Sequence, residues 1–252
     1  MLDQFSRTRM LIGGAAMEHL SKSSVAVFGI GGVGGHTVEG LVRSGIGRIA
    51  IFDDDKICLT NLNRQIIATR DTIGRNKVDV MAERIQSINP KAEVEAYQTF
   101  YGPNVADQFD LGRYDYIVDA VDTVTAKLEL VKRAYAAGIP IISSMGAANK
   151  LDPTAFEVTD IFKTQNDALA RVMRRELRKL EIKQLKVVYS KEKARKPIED
   201  IADDCNKNCI CPPDVQRTCT SRRQIPASNA FVPGTAGLIL AGAVICDLIE
   251  NL

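Results

Sequence analysis

Short apolar runs and amphipathic stretches alternate along the first part of the chain. "VAVF" at 25–28 predicts a buried strand ending at glycine, and a helical pattern follows from Val33 to Val42. "RIAIF" at 48–52 predicts a second strand that stops at Asp53. Lys77 to Ile88 predicts a second helix, closed by Asn89 and Pro90. "VEAYQTF" (94–100) alternates, and "YIVDAV" (116–121) is apolar enough for a buried strand. "AKLELVKRAYAAG" (126–138) has helical spacing up to Gly138, and "PIISSM" (140–145) predicts another strand. Strands alternating with helices of this length imply an α/β fold of the Rossmann-like, doubly wound type with a mainly parallel sheet, because parallel neighbours need long crossovers.

The pattern changes after Met145. "AFEVTDI" (155–161) and "LKVVYS" (185–190) predict strands. Between them, 164–180 predicts an amphipathic helix with Leu169, Val172, Met173, Leu177 and Leu180 on one face, and with Thr164 and Asp167 fitting a capping box at its start. Residues 191–229 offer little to bury and hold four of the six cysteines, so they are expected to form a mobile crossover loop within one domain spanning 1–252. The apolar run 235–249 is shorter than the roughly 20 residues that span a bilayer. Asp247 also interrupts it, and a buried core helix is expected.

Composition narrows the class only a little. The 252 residues are 45% hydrophobic and carry a net charge of +2, as ordinary soluble domains do. The first ten residues contain no apolar signal core, and Cys58 and Cys246 lie in apolar segments. A reduced, cytoplasmic protein with no membrane partner is the expectation. With His19 and His36 as the only histidines, a Ser-His-Asp hydrolase or a multi-histidine metal site is disfavoured. No P-loop motif occurs.

The chemistry gathers at the ends of the early strands. "GIGGVG" follows the first strand and opens the first helix, giving G-x-G-x-x-G at Gly29, Gly31 and Gly34, with Gly32 between them. Such a turn lets phosphate approach the backbone at a helix N-terminus. Asp53 lies at the end of the second strand, where a carboxylate accepts from ribose hydroxyls. A dehydrogenase has no need of what comes next, "DDDKICLTNLNRQ" (53–65), with Asp55, Asn61, Arg64 and Gln65. Cations and amide donors suit a site that neutralises charge on phosphates during ATP cleavage. Lys77 is a further cation, and Asp122 is an oxygen ligand suited to Mg²⁺. Asp53, Asp119 and Asp122 are expected to converge at the C-terminal ends of the strands.

"GIGGVGG" (29–35), "DDDKICLTNLNRQ" (53–65), "GRNK" (74–77) and "DAVD" (119–122) together resemble the E1-like adenylating superfamily. The resemblance implies that Asp53 binds ribose, that Asn61, Arg64 and Lys77 contact the phosphates of ATP, and that Asp122 sits near Mg²⁺. It also implies a homodimer in which Arg7 of "FSRT" reaches the partner's ATP from a mobile N-terminal arm. Paired CxxC motifs, typical of sulfur-carrier activators, do not occur here. "GAANKLDPT" (146–154), the basic helix and "FVPGTAGLILAG" are instead similar to the tRNA threonylcarbamoyladenosine dehydratases. Those enzymes adenylate the carboxylate of t6A at position 37 of tRNA and close a ring. Activation of a ubiquitin-like sulfur-carrier protein is the alternative, and a sulfur-trafficking partner protein stays open. Asn149 and Asp152 are implied as ligands of a monovalent cation, Na⁺ or K⁺.

Charge agrees with an RNA substrate. From Lys163 to Lys196 there are twelve Lys or Arg against four Asp or Glu. Cys205, Cys209, Cys211 and Cys219 are spaced C-x₃-C-x-C-x₇-C, which leaves zinc binding, a catalytic or sulfur-handling thiol, and neither as open readings.

Overall fold

The structure is a computed structural model that describes residues 2–198, 226–250 and 252. The four clustered cysteines, and most of the expected crossover loop, lie outside the described residues. Seven strands form one sheet in the order β3-β2-β1-β4-β5-β7-β6. The first four are β1 (Ser24–Phe28), β2 (Arg48–Phe52), β3 (Glu93–Tyr97) and β4 (Tyr116–Asp119). They are followed by β5 (Ile141–Ser144), β6 (Phe156–Asp160) and β7 (Lys186–Ser190). All pairings are parallel except that of β6 with β7, so the antiparallel strand sits at an edge.

The period-two alternation of each strand divides the core into two layers. Val25, Val27, Ile49, Ile51 and Val118 face one side with α2 (Gly14–Lys22), α3 (Gly34–Arg43), α4 (Lys77–Ile88) and α7 (Phe231–Ile249). Ala26, Phe28, Ala50, Phe52 and Ile117 face the other, with α5 (Val124–Ala137) and α6 (Ala168–Lys179). Stacked Phe28 and Phe52, 4.2 Å between ring centroids, anchor that second layer under the ends of β1 and β2. Because the sheet runs β2-β1-β4-β5, the crossovers that leave β1 and β4 run in opposite directions. The crevice above the end of β1 is where such sheets bind ligands.

The final helix starts four residues before the expected Thr235, since Asn229 Oδ1 caps it by accepting from Val232 N at 2.8 Å. Pro233 lies in the first turn, where no intrahelical N–H is needed. With 19 residues and a mean hydropathy of 1.9, α7 is long and apolar enough to cross a membrane by length and composition. Here it packs on α3. A Cβ on Gly237 would come within 2.3 Å of the Val33 carbonyl, so only glycine permits this approach of the two helices. Val232, Leu240 and Val244 are buried at the contact, each contributing about 1.5–3 kcal/mol.

Three details differ from expectation. Arg7 lies on a short helix, α1 (Ser6–Ile12), an element that the apolar pattern does not predict. The basic helix begins at Ala168: Asp167 is its cap, accepting from Ala170 N at 2.8 Å, while the Thr164 hydroxyl donates to the Ile161 carbonyl. Leu180 is 43% exposed at the C-cap, because the helix has ended before the apolar face returns.

Candidate active site

The glycine turn between β1 and α3 depends on glycine for separate reasons. Gly29 has φ +88, and a Cβ there would meet the Ala120 carbonyl at 2.8 Å. A Cβ on Gly34 would overlap the Gly29 carbonyl at 1.7 Å, whereas one on Gly31 would meet nothing within 4 Å. The turn is therefore tight beneath and open above, toward the N-terminus of α3.

Asp53, at the end of β2, clamps this turn. Its Oδ2 accepts from Ile30 N at 2.7 Å, and its Oδ1 accepts from Asp55 N at 2.9 Å. Lys77, the first residue of α4, is buried with its ammonium 3.3 Å from Asp53 Oδ1 and 2.7 Å from Asp55 Oδ2. Burial works to lower the pKa of Lys77, but the charges of Asp53 and Asp55 outweigh it and raise it above the ordinary lysine value. The ammonium therefore keeps its proton at neutral pH. Carboxylate oxygens of Asp53, Asp54 and Asp55 lie within 4.8 Å of one another, and Lys77 is the cation beside them.

The "TNLNRQ" segment is a turn of 3₁₀-helix (Leu59–Asn61) folded back toward the glycines. Asn61 Oδ1 accepts from Cys58 N at 3.1 Å, and the Asn61 carbonyl accepts from the amides of Arg64 and Gln65. The Arg64 methylenes lie against Gly32, where an added Cβ would come within 3.3 Å of Cγ. Its guanidinium donates to the Thr60 carbonyl and to Asn63 Oδ1, each at 2.9 Å. The loop thus sets a cation beside the glycine turn at Gly32. Gln65 is buried, and its Oε1 has no hydrogen-bond partner among the described residues.

Asp122 is exposed on the turn from β4 to α5, an oxygen donor of the kind Mg²⁺ takes. Asp119 does not join it. It is fully buried against Lys127 of α5, because strand residue 119 points into the second layer while residue 122 lies beyond the strand. Lys127 carries a sequence signal: with Leu130, Val131 and Ala134 it shares one apolar helix face, where a lone cation demands a buried partner.

In the 146–152 loop the side-chain oxygens of Asn149 and Asp152 both accept hydrogen bonds from the protein. Asn149, with φ +61, uses Oδ1 to accept from Ala227 N at 2.8 Å. Its amide donates to the Ala227 carbonyl, and its own carbonyl accepts from Arg195 N. Asp152 Oδ1 accepts from the amide and hydroxyl of Thr154. The cation held by this loop is Lys150, whose buried ammonium donates to the Gly146 carbonyl at 2.6 Å beside Asp167. Asn149 fastens the two ends of the crossover, and Asn63 of the 60–65 loop donates to the Ser228 carbonyl on the same return.

On α6, Arg171, Arg175, Arg178 and Lys179 are exposed, with Arg175 and Lys179 both paired to Glu176. Arg174 turns inward and donates to the Thr164 carbonyl at 3.1 Å. It belongs to the fold and not to the basic face.

The ThiF family pattern matches residues 5–243. Over its full length the chain is 44% identical to the tRNA threonylcarbamoyladenosine dehydratase of Bacillus subtilis and covers 97% of that protein. The corresponding Escherichia coli enzyme, TcdA, solved in complex with AMP, superposes with a TM-score of 0.84 at 31% identity, covering 98% of this chain and 94% of the other. It has also been solved in complex with ATP. A sulfur carrier protein adenylyltransferase from Thermus thermophilus is 33% identical over 60% of this chain and 55% of its own length. The chain belongs to the ThiF family.

Proposed function

We propose that this protein is an ATP-dependent tRNA threonylcarbamoyladenosine dehydratase, acting as one adenylation domain over residues 1–252. The observation that carries this reading is the pair of cations flanking the glycine turn, with Arg64 lying over Gly32 and Lys77 fixed by Asp53 and Asp55. A hydride-transfer site needs neither. An adenylating site needs both, because charge grows on the α-phosphate and on departing pyrophosphate. The full-length likeness to the Bacillus subtilis enzyme selects the substrate.

In this reading Asp53 and Asp55 lie at the ribose, and Asn61, Arg64 and Lys77 face the phosphates. Gly29, Gly31, Gly32 and Gly34 let the backbone close on the nucleotide, and Gln65 completes the nucleotide-binding set. Mg²⁺, when bound, neutralises phosphate charge, and Asp122 is the residue that would hold it. The t6A carboxylate attacks the α-phosphorus, pyrophosphate leaves, and the ureido nitrogen then displaces AMP to close the ring of ct6A. The net change in the tRNA is loss of one water. Exposed cations of α6 supply contacts to tRNA phosphates.

The test is release of AMP and pyrophosphate with tRNA carrying t6A37, with unmodified tRNA and without tRNA. Release confined to the first, with the nucleoside lighter by one water, is expected. Release driven by a sulfur-carrier protein instead would replace this reading.

Exposed Met10 (87%) and Leu11 (84%), beside exposed Arg7 on the N-terminal helix, support a homodimer. With Arg7 serving the partner's site, refolded mixtures of inactive Arg7→Ala and Asp122→Ala recover roughly a quarter of native activity, from one intact site in half the dimers. A dead mixture containing mixed dimers would refute the exchange.

A further inference from the structure

Beneath the site lies a charged pair that the proposed reaction does not use. Lys127 in the first turn of α5 and Asp119 at the end of β4 are both 0% exposed. The ammonium donates to Asp119 Oδ2 at 3.0 Å, to Ser143 Oγ at 3.2 Å and to the Ser144 carbonyl at 2.7 Å. Ser143 donates its own hydroxyl proton to the same Oδ2. The second carboxylate oxygen does something else. Asp119 Oδ1 accepts from Val121 N at 3.2 Å, in the turn that carries Asp122. That turn is tied to β1 by Ala120 N donating to the Phe28 carbonyl at 2.8 Å, and the Ala120 carbonyl packs on Gly29.

We propose that Asp119, locked by Lys127 and Ser143, is a positioning residue that fixes the 120–122 turn so that Asp122 meets the nucleotide and its Mg²⁺. The proposal rests on the assignment of Asp122 made above. A purely structural ion pair has to be neutral and well packed, and an apolar pair of similar volume meets that demand. Positioning additionally requires an acceptor for Val121 N–H. The two demands separate in paired variants. Asp119→Leu/Lys127→Met removes both charges and the acceptor, while Asp119→Asn/Lys127→Met removes both charges and keeps an amide oxygen.

Binding of a non-hydrolysable ATP analogue is followed by calorimetry across a Mg²⁺ titration, and exchange of the Val121 amide by NMR. The Leu/Met variant is expected to need about tenfold more Mg²⁺ for half-maximal effect and to exchange Val121 faster. The Asn/Met variant should stay within about threefold of native, the difference reflecting one hydrogen bond. Equal Mg²⁺ requirements in the two double variants would overturn the proposal. Should the Leu/Met variant not fold, Ser143→Ala loosens the carboxylate without changing charge, and about a threefold shift is expected. No shift there overturns the proposal equally. Asp122→Asn separates the two levels: an unchanged Mg²⁺ requirement in that variant removes the assignment of Asp122 itself. A large shift there beside silent Asp119 variants removes only the positioning.

Discussion

Lys77 is the first residue of α4 and Lys127 lies in the first turn of α5, so both place a positive charge where the helix dipole is already positive. Each is balanced by an aspartate at the end of a strand. The two pairs differ in what lies above them. Asp55, the nearer partner of Lys77, keeps 39% of its side chain in solvent, whereas Asp119 and Lys127 keep none. A phosphate can therefore share the Lys77 cation with its carboxylates. Nothing can share Lys127. In the proposed reading the same residue types, two strand ends apart, serve as a binding group in one case and a fixed support in the other, and exposure of the partner separates them.

Breaking the buried pair should give the largest effect. Lys127→Met leaves the Asp119 carboxylate uncompensated in the core, at a cost of about 3–5 kcal/mol. For a domain of this size that lowers Tm by roughly 6–20 °C, measured by calorimetry. Asp119→Leu/Lys127→Met should recover most of the loss, since the double change leaves no charge stranded. A single variant as stable as native would show that the ion pair contributes nothing net to stability.

The rim pair should respond in the opposite sense. Lys77→Met removes a cation from the proposed phosphate site, and ATP–pyrophosphate exchange should fall about 10²–10³-fold, the scale set by loss of one preorganised donor to developing charge. Its Tm should fall by less than the Lys127→Met drop, because Asp55 regains water and Asp53 keeps the amides of Ile30 and Asp55. Arg64→Ala should match it in activity and leave stability nearly untouched, its guanidinium being held by Thr60 and Asn63 at the surface of the loop. Pyrophosphate exchange at the native rate in a folded Arg64→Ala would remove that residue from the reaction.

The contrast also explains which parts of the molecule are legible in the sequence. The strands, the glycine turn, Asp53, Arg64 and Lys77 can be read because apolar period and motif spacing are local signals. Asp119 is misplaced by the same reasoning because exposure is a tertiary property. "DAVD" places two aspartates near a strand end, and only the position of the last strand residue separates them. Lys127 on an apolar face is the available clue. Helices α1 and α2 escape the pattern because each is short, and Gly13 with φ +87 divides them, so neither shows a full apolar period. The start of α6 is displaced because Thr164 and Asp167 are both plausible caps, and the Thr164 hydroxyl is occupied at Ile161. Asn149 has the chemistry of a cation ligand, yet its role as a fastener depends on Arg195 and Ala227, which are distant in sequence.

The smallest expected effect carries the same contrast onto α6, between neighbouring arginines. Arg175 keeps 68% of its side chain in solvent, while Arg174 is half-buried and donates to the Thr164 carbonyl. Arg171→Gln/Arg175→Gln/Arg178→Gln should leave Tm nearly unchanged and weaken tRNA binding, with the log–log salt slope flatter by about 0.7–0.9 for each phosphate that is no longer neutralised. The total should fall short of three full phosphate pairings, because Arg175 already shares Glu176 with Lys179, and Arg178 lies 5.3 Å from the centroid of the Phe162 ring. Arg174→Gln should do the reverse, lowering Tm by leaving the carbonyls at Ile161 and Thr164 without its donor, and keeping the native slope. The measurement is tRNA affinity across a salt series beside a thermal melt for each variant. If the triple variant keeps the native slope, α6 presents only a solvated face, and tRNA binds elsewhere on the molecule.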